Sequence, residues 1–223
     1  MEDHDNVLET ALREFKRSVE ITRDVRFQAN LRLAVRQRVS SYMVSFLSLY
    51  VIGLSLIPNI LSLQQYQNQI LLASSIILSV FVIFTSLIDG AQNFYHQGEL
   101  LHQCARKVAT VYHKLKNIDP SANAEEAKSQ LESLQAEYRT ALDDCPINHA
   151  NVDFIREMAR KPHLFPVDYG IDKHGLKRFW YRCYAVVGPH TWMSLHLVAI
   201  LVVSFVVYRF VLTASTAPMN ATG

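Results

Sequence analysis

SSYMVSFLSLYVIGLSLIPNILSL (residues 40–63) and ILLASSIILSVFVIFTSLI (residues 70–88) decide how this chain is read. Neither block holds a charge. Each is long enough to cross the roughly 30 Å of hydrocarbon in a bilayer as a helix. Between them lies only QQYQNQ (residues 64–69), uncharged and polar, which fits a tight hairpin turning at the far membrane surface. A third apolar block runs from Trp192 to Leu212, broken only by His196 near its start and Arg209 near its end, where a guanidinium can snorkel to the interface. The expected fold is an all-α membrane protein: a transmembrane helical hairpin, a cytoplasmic helical bundle and a third, C-terminal transmembrane helix.

Half of the 223 residues are hydrophobic, which alone would suit a globular protein. The distribution carries the information, because charges avoid the three apolar blocks. A net charge of +2 gives no polyanion-binding signature, so direct nucleic-acid binding is not predicted. Cys104, Cys145 and Cys183 are odd in number, widely spaced and without a CxxC, which reads as reduced cytoplasmic thiols. Residues 1–38 are densely charged, so no signal peptide is expected and targeting falls to the first span.

Lysines and arginines set the orientation. Arg23, Arg26, Arg32, Arg36 and Arg38 precede the first span, Arg106, Lys107, Lys114 and Lys116 follow the second, and Lys173, Lys177, Arg178 and Arg182 precede the third. The hairpin link and the tail after Leu212 carry none. The expected order is a cytoplasmic amphipathic helix (1–39), the hairpin (40–88), a cytoplasmic helical domain (89–191), the third span (192–212) and an outside tail (213–223). The amino terminus lies inside and the carboxyl terminus outside a plasma or inner membrane. The sequon at Asn220 reads as a chance match.

Leu8, Leu12, Phe15 and Val19 step by four, three and four, one face of a helix over 6–38. Leu101, Cys104, Val108, Val111 and Leu115 continue such a stripe beyond the second span until Asp119-Pro120 stops it. Asn123 with Glu126 has the spacing of a capping box, opening a helix that carries Leu131, Leu134, Tyr138 and Ala141 or Leu142. These helices are expected to pair antiparallel, and to pack on the amino-terminal helix or on neighbouring subunits. Phe154–Arg160 reads as a short helix, and Pro162, Pro166 and Gly170 mark a loop. KRFWYRCY (residues 177–184) is basic and aromatic together, and two readings stand: a segment at the headgroup surface, or a solvated helix with an aromatic packing face.

The hairpin carries polar stripes. Ser41, Ser45, Ser48, Ser55, Asn59 and Ser62 step by four, three, seven, four and three, within roughly a third of the helix circumference. Ser75, Ser79, Ser86 and Asp89 share a face with Asn68 and Asn93. Small polar residues let membrane helices approach and hydrogen-bond, which gives packing alone. Several hairpins with these faces inward would instead surround a water-filled path, with Asp89 as a ring at its mouth favouring cations, or as a merely solvated interfacial charge. Gly53 and Pro58 permit a kink and are also tolerated for packing.

No phosphate-binding glycine loop, zinc-protease motif or nucleophile elbow occurs. His102 and His113 are too far apart to share an ion. His149 and Asp153, four apart, suit a local anchor of the short helix better than a metal site. With no catalytic constellation, the chain is expected not to be an enzyme and to use no cofactor or metal.

The basic helix entering a short-looped hairpin, the long helix leaving it, and Tyr138-Arg-Thr-Ala-Leu142 followed by Pro146-Ile-Asn148-His149 and Asp153 together resemble the SLATT domain family. That family is a two-transmembrane effector associated with SMODS nucleotidyltransferases and SLOG sensors in prokaryotic conflict systems. The resemblance covers residues 10–160, and the third span departs from the two-span pattern. It implies a homo-oligomeric, pore-forming effector in the lipid bilayer. A partner's signal would trigger it, whether a nucleotide second messenger from a nucleotidyltransferase or a reverse-transcriptase product. Asn148 and His149 would stabilise the cytoplasmic fold. A non-conducting membrane adaptor that recruits a cytoplasmic partner is the other reading.

Overall fold

A computed structural model describes residues 2–120, 123–165, 175–188, 191 and 193–209. The protein is all-α, with no strand among the described residues. Among the described residues seven helices follow one another: α1 (Glu2–Ile60), α2 (Gln65–Gln92), α3 (Phe94–Leu115), α4 (Ala124–Asp143), α5 (Asn151–Arg160), α6 (Leu176–Val187) and α7 (Met193–Val207), with a 3-10 turn at Pro162–Leu164. Of the loop marked by Pro162, Pro166 and Gly170, the first proline opens that 3-10 turn; the rest of the loop, the end of the third apolar block and the tail with its sequon lie outside the described residues. The chain divides into two compact units, Met1–Val35 with Phe94–Pro189 and Arg36–Asn93 with His190–Gly223.

The first unit is a bundle of water-soluble pattern. Val19 of α1, Cys104, Val108, Val111, Tyr112 and Leu115 of α3, and Leu131, Leu134 and Ala141 of α4 form its core. Leu8, Leu12 and Phe15 close the α1 side. These apolar stripes recur at helical spacing, so only by packing together do three amphipathic helices remove them from water. A smaller cluster joins Ala29 and Leu33 to Phe94 and Leu101. Gly98 allows that approach: a Cβ there would stand 3.2 Å from Asn30 Oδ1. At the start of α4 the Glu126 amide donates to Asn123 Oδ1 at 3.2 Å. This side-chain acceptor satisfies one of the amides that a helix amino terminus leaves open.

The second unit inverts that pattern. Leu47 and Leu54 of α1 and Leu71 and Leu78 of α2 are buried against each other, and Ala199, Ile200, Val203 and Val207 of α7 pack on them. Outside this seam the surface is apolar, with Phe46, Leu49, Ile77, Val80, Ile83 and Leu87 all exposed. Water does not tolerate so large an apolar patch on a soluble domain, whereas hydrocarbon does. Among the described residues two helices are long and apolar enough to cross a membrane.

Several boundaries differ from the sequence reading. α1 ends at Ile60 instead of Leu63 and α2 starts at Gln65, so the link is shorter than residues 64–69 implied. The early start has a local cause, the Gln64 amide donating to Gln67 Oε1 at 2.9 Å. Asn93, placed by its spacing at the end of the second polar stripe, instead terminates α2 in the left-handed conformation (φ 46°, ψ 49°), which asparagine adopts more readily than most residues. α5 begins three residues before the predicted Phe154, because Asp153 accepts the Ala150 amide at 3.0 Å and so caps the first turn.

Candidate functional site

In the first unit the α1 stripe runs on past Val19 in the same four-three rhythm as Thr22, Arg26, Ala29 and Leu33. Two of these seam positions are polar, and each meets a partner on another helix. Thr22 Oγ1 and the Tyr138 hydroxyl of α4 share a hydrogen bond of 2.8 Å, and the Tyr138 ring stands edge-on to Phe15. Arg26 bonds the buried thiol of Cys104 on α3, which itself donates to the Ala141 carbonyl at 3.4 Å. Burial, then the contact with Cys145, pushes the Cys104 thiol up to about 11, against the opposing pull of the Arg26 charge.

A second face of α1 receives α5. Arg32 grips Asp153 with both prongs of its guanidinium, at 2.7 and 2.9 Å, and the carboxylate is wholly buried. Such a fork is geometrically selective, and fixes α5 on α1 in one register. One turn further, Glu157 is also fully buried, bonded by Arg160 at 3.0 Å, with Oε2 left unpaired. Lys161 reaches Asp24 Oδ2 at 2.5 Å and Glu20 at 3.6 Å. Burial pushes the Asp24 carboxyl up, but the hydrogen bonds from Arg23 and Lys161 outweigh it and hold the group below the usual carboxylate range. Burial likewise opposes the charge on Arg23, yet its bond to Asp24 and the nearby anions raise it above the ordinary value. Arg23 also lies over the Tyr112 ring at 4.2 Å.

Asn148 and His149 sit at the entrance to α5. Asn148 Oδ1 accepts the His149 amide at 2.8 Å, and the His149 ring stacks on Phe154 with Nδ1 at 3.3 Å from the Ala150 carbonyl. Asp153 faces Arg32 and not His149, so the structure does not bring those two together as a ligand pair. Among the described residues, no group of three or more His, Cys, Asp or Glu side chains is arranged to hold a metal ion.

In the hairpin, the two polar stripes take different positions. Ser41, Ser45, Ser55, Asn59 and Ser62 are exposed and Ser48 is half-buried. On a helical wheel the stripe centres about a third of a turn from the Leu47–Leu54 seam, with Ser62 and Ser55 nearest to it. Its hydroxyls donate to their own helix: Ser41 to the Gln37 carbonyl at 3.0 Å, Ser45 to Ser41 at 2.9 Å, Ser48 to Val44 at 2.9 Å and Ser55 to Ile52 at 2.8 Å. The second stripe borders the seam, with Ser75 buried in it, Ser79 half-buried and Ser86 exposed. Asp89 is half-buried and accepts a hydrogen bond from Ser40. Tyr50 and Ser204 share a 2.8 Å bond between α1 and α7, and the buried His196 meets Phe81 edge-on. The first stripe is thus mostly exposed, whereas the second borders the seam.

Compared with known protein families, residues 8–210 match the model described as "SMODS and SLOG-associating 2TM effector domain family 5". The chain belongs to this SLATT family. It is accordingly a membrane protein and an effector in a defence or conflict system. The match extends beyond the stretch 10–160 that carried the resemblance and takes in α6 and α7, so the third apolar helix lies within the family's span. Neither the curated proteins nor the solved structures yield a match.

For this SLATT chain, sequence reasoning singled out Tyr138, Asn148, His149 and Asp153 but missed their counterparts on α1. The arginines were read only as topogenic charge. The signal available was Arg26 at a seam position of an otherwise apolar rhythm, since a charge in a helix seam needs a partner. Nothing comparable marked Arg32, whose partner is 121 residues away.

Proposed function

We propose that the protein is a homo-oligomeric effector of the plasma membrane that opens a pore when a cytoplasmic signal reaches its first unit. The observation that carries this reading is the first-span stripe: a row of serines and an asparagine exposed along a membrane-crossing helix whose intrachain seam is made of leucine. Lipid is a poor neighbour for such a row, and neighbouring copies around a water-filled path would cover it. Asp89 would stand where the second span reaches the cytoplasmic surface, biasing the path toward cations. The first unit would lie inside, with the carboxyl terminus outside, as the charge distribution favours.

The trigger would be a nucleotide second messenger or another product of a partner enzyme, such as a nucleotidyltransferase or a reverse transcriptase. The chain itself would act without catalysis and without a cofactor, its buried acids serving in ion pairs with α1 and α5. A second reading draws on the serine hydroxyls, which already bond their own backbone and need no water. They would then pack neighbouring helices in a non-conducting adaptor.

Ion flux through proteoliposomes separates the two. Wild type is expected to conduct, Asp89→Asn to change ion preference, and Ser45→Leu with Ser48→Leu to silence flux while cross-linked oligomers persist. Loss of the oligomers in the double variant would favour packing instead.

A further inference from the structure

We propose that α6 lies in the membrane surface as an anionic-lipid-binding helix, its aromatic face in the headgroup region and its basic flanks on lipid phosphates. At 100° per residue, Leu176, Phe179, Trp180, Tyr184 and Val187 fall on one face of the helix, and Cys183 lies among them. All five of the former are exposed, Trp180 at 64 % and Leu176 at 73 %, whereas Tyr181 on another side is half-buried and α6 packs against α5. An amphipathic helix whose apolar side faces outward has its burial still to make.

Three observations select a lipid surface as the occupant. Lys177 and Arg182, both exposed, fall on the two flanks of the apolar face, where long cationic stems can reach phosphates while the rings go down. Tryptophan and tyrosine, with an apolar body and a polar tip, are the side chains that favour the headgroup level. Five residues, 188–192, then separate α6 from α7, a fully extended reach of roughly 20 Å. α7 packs on the hairpin and presents Leu201, Val202 and Phe205 outward, so it shares the hairpin's hydrocarbon and tethers α6 close to the bilayer. No acidic residue lies in α6 to oppose an anionic surface.

The inference rests on the membrane assignment of the hairpin but not on pore formation, and its test separates the two. The chain has two tryptophans, so Trp192→Phe leaves Trp180 as the sole reporter. The full-length variant is reconstituted in vesicles of phosphatidylcholine with and without phosphatidylglycerol. Phospholipids brominated near the start or near the end of the acyl chain serve as quenchers from within the bilayer, and acrylamide from the water. Trp180 should be quenched more by the shallow than by the deep bromines, with the larger effect in phosphatidylglycerol. Lys177→Gln and Arg182→Gln should each lower the lipid-contacting ratio roughly fivefold in those vesicles.

Quenching by acrylamide alone would overturn the proposal in favour of a solvated helix. Shielding from both quenchers would overturn it in favour of a second copy or another protein over α6. Alkaline carbonate extraction of the same vesicles isolates the underlying assignment. Protein retained while Trp180 meets no lipid sinks the α6 proposal alone, and protein released sinks the membrane assignment with it.

Discussion

One helix, α1, runs through both units and treats its polar residues in opposite ways. Before Val35 it turns Thr22, Arg26 and Arg32 toward other helices, each with a partner more than seventy residues distant in sequence. After Arg36 only Ser40 and Tyr50 reach across to other helices, at Asp89 and Ser204. The seam is otherwise leucine, and Ser41, Ser45 and Ser55 turn outward, bonded only to their own backbone. The difference follows from the solvent. In water, apolar burial drives assembly and cross-helix polar pairs fix the register. In hydrocarbon, leucine gains little by leaving lipid, so the seam relies on close packing, and outward hydroxyls must find acceptors locally.

The comparison breaks most severely at the Arg32–Asp153 pair. Asp153→Ala leaves the guanidinium unpaired in a nearly closed site, and removing one partner of such a pair costs about 3–5 kcal/mol. Hydrogen exchange of the α5 amides in detergent should report that loss of local opening free energy, with the hairpin amides unmoved. Arg32→Met combined with Asp153→Leu should recover most of it, short of the lost cap. A single variant within about 1 kcal/mol of wild type would show that the fork does not hold α5.

Next in size is Gly98→Val. Its side chain would press on Asn30 and Leu33, whose Cβ is 3.6 Å from the added atom, and overpacking of this kind costs about 1–3 kcal/mol. Urea unfolding of the first unit should show it. A neutral result would mean that α1 and α3 can separate there without cost.

Acid tests the same unit more gently. Because the folded pKa of Asp24 lies below its unfolded value, its contribution is complete above a pH of about 4 and is lost as the pH falls through the folded value. Lys161→Met removes one of the two hydrogen bonds that depress it, so the acid limb of a stability–pH profile should shift upward. An unshifted limb would assign acid lability to other carboxylates.

How much of this was legible beforehand differs between the units for the same reason. The hairpin is a local feature: length, absence of charge and 100° periodicity are all written within residues 40–88, so both spans and their stripes were readable. The cap at Asn123 and Glu126 was readable on the same grounds. Which way the first stripe turns was not, because Leu47 and Leu54 look like any other leucines until α2 is placed beside them. In the first unit the motif residues Tyr138 and Asp153 were visible, and so was Asp153 as a local anchor of the short helix, but their cross-helix partners were not, since Thr22 and Arg32 are joined to them only by the folding of α3, α4 and α5. Asn93 was misread because a left-handed residue between two helices looks, in sequence, like one more step of a helical stripe.

The smallest expected effects sharpen the comparison best. Tyr138→Phe removes a cross-helix bond to Thr22 and should cost the first unit about 1 kcal/mol, the net worth of a typical hydrogen bond. Ser45→Ala removes a hydroxyl that bonds only the Ser41 carbonyl, one turn back on its own helix. Alanine leaves that carbonyl its helical partner and slightly favours the helix, so stability in micelles should change by no more than about 0.5 kcal/mol. Flux and stability should therefore separate at this residue: a serine kept for packing would weaken the oligomer when shortened, whereas one kept for a water path would leave the oligomer intact and lower conductance. If Ser45→Ala destabilised the protomer as much as Tyr138→Phe, the outward stripe would be making contacts within the chain, and the contrast between the two halves of α1 would fail.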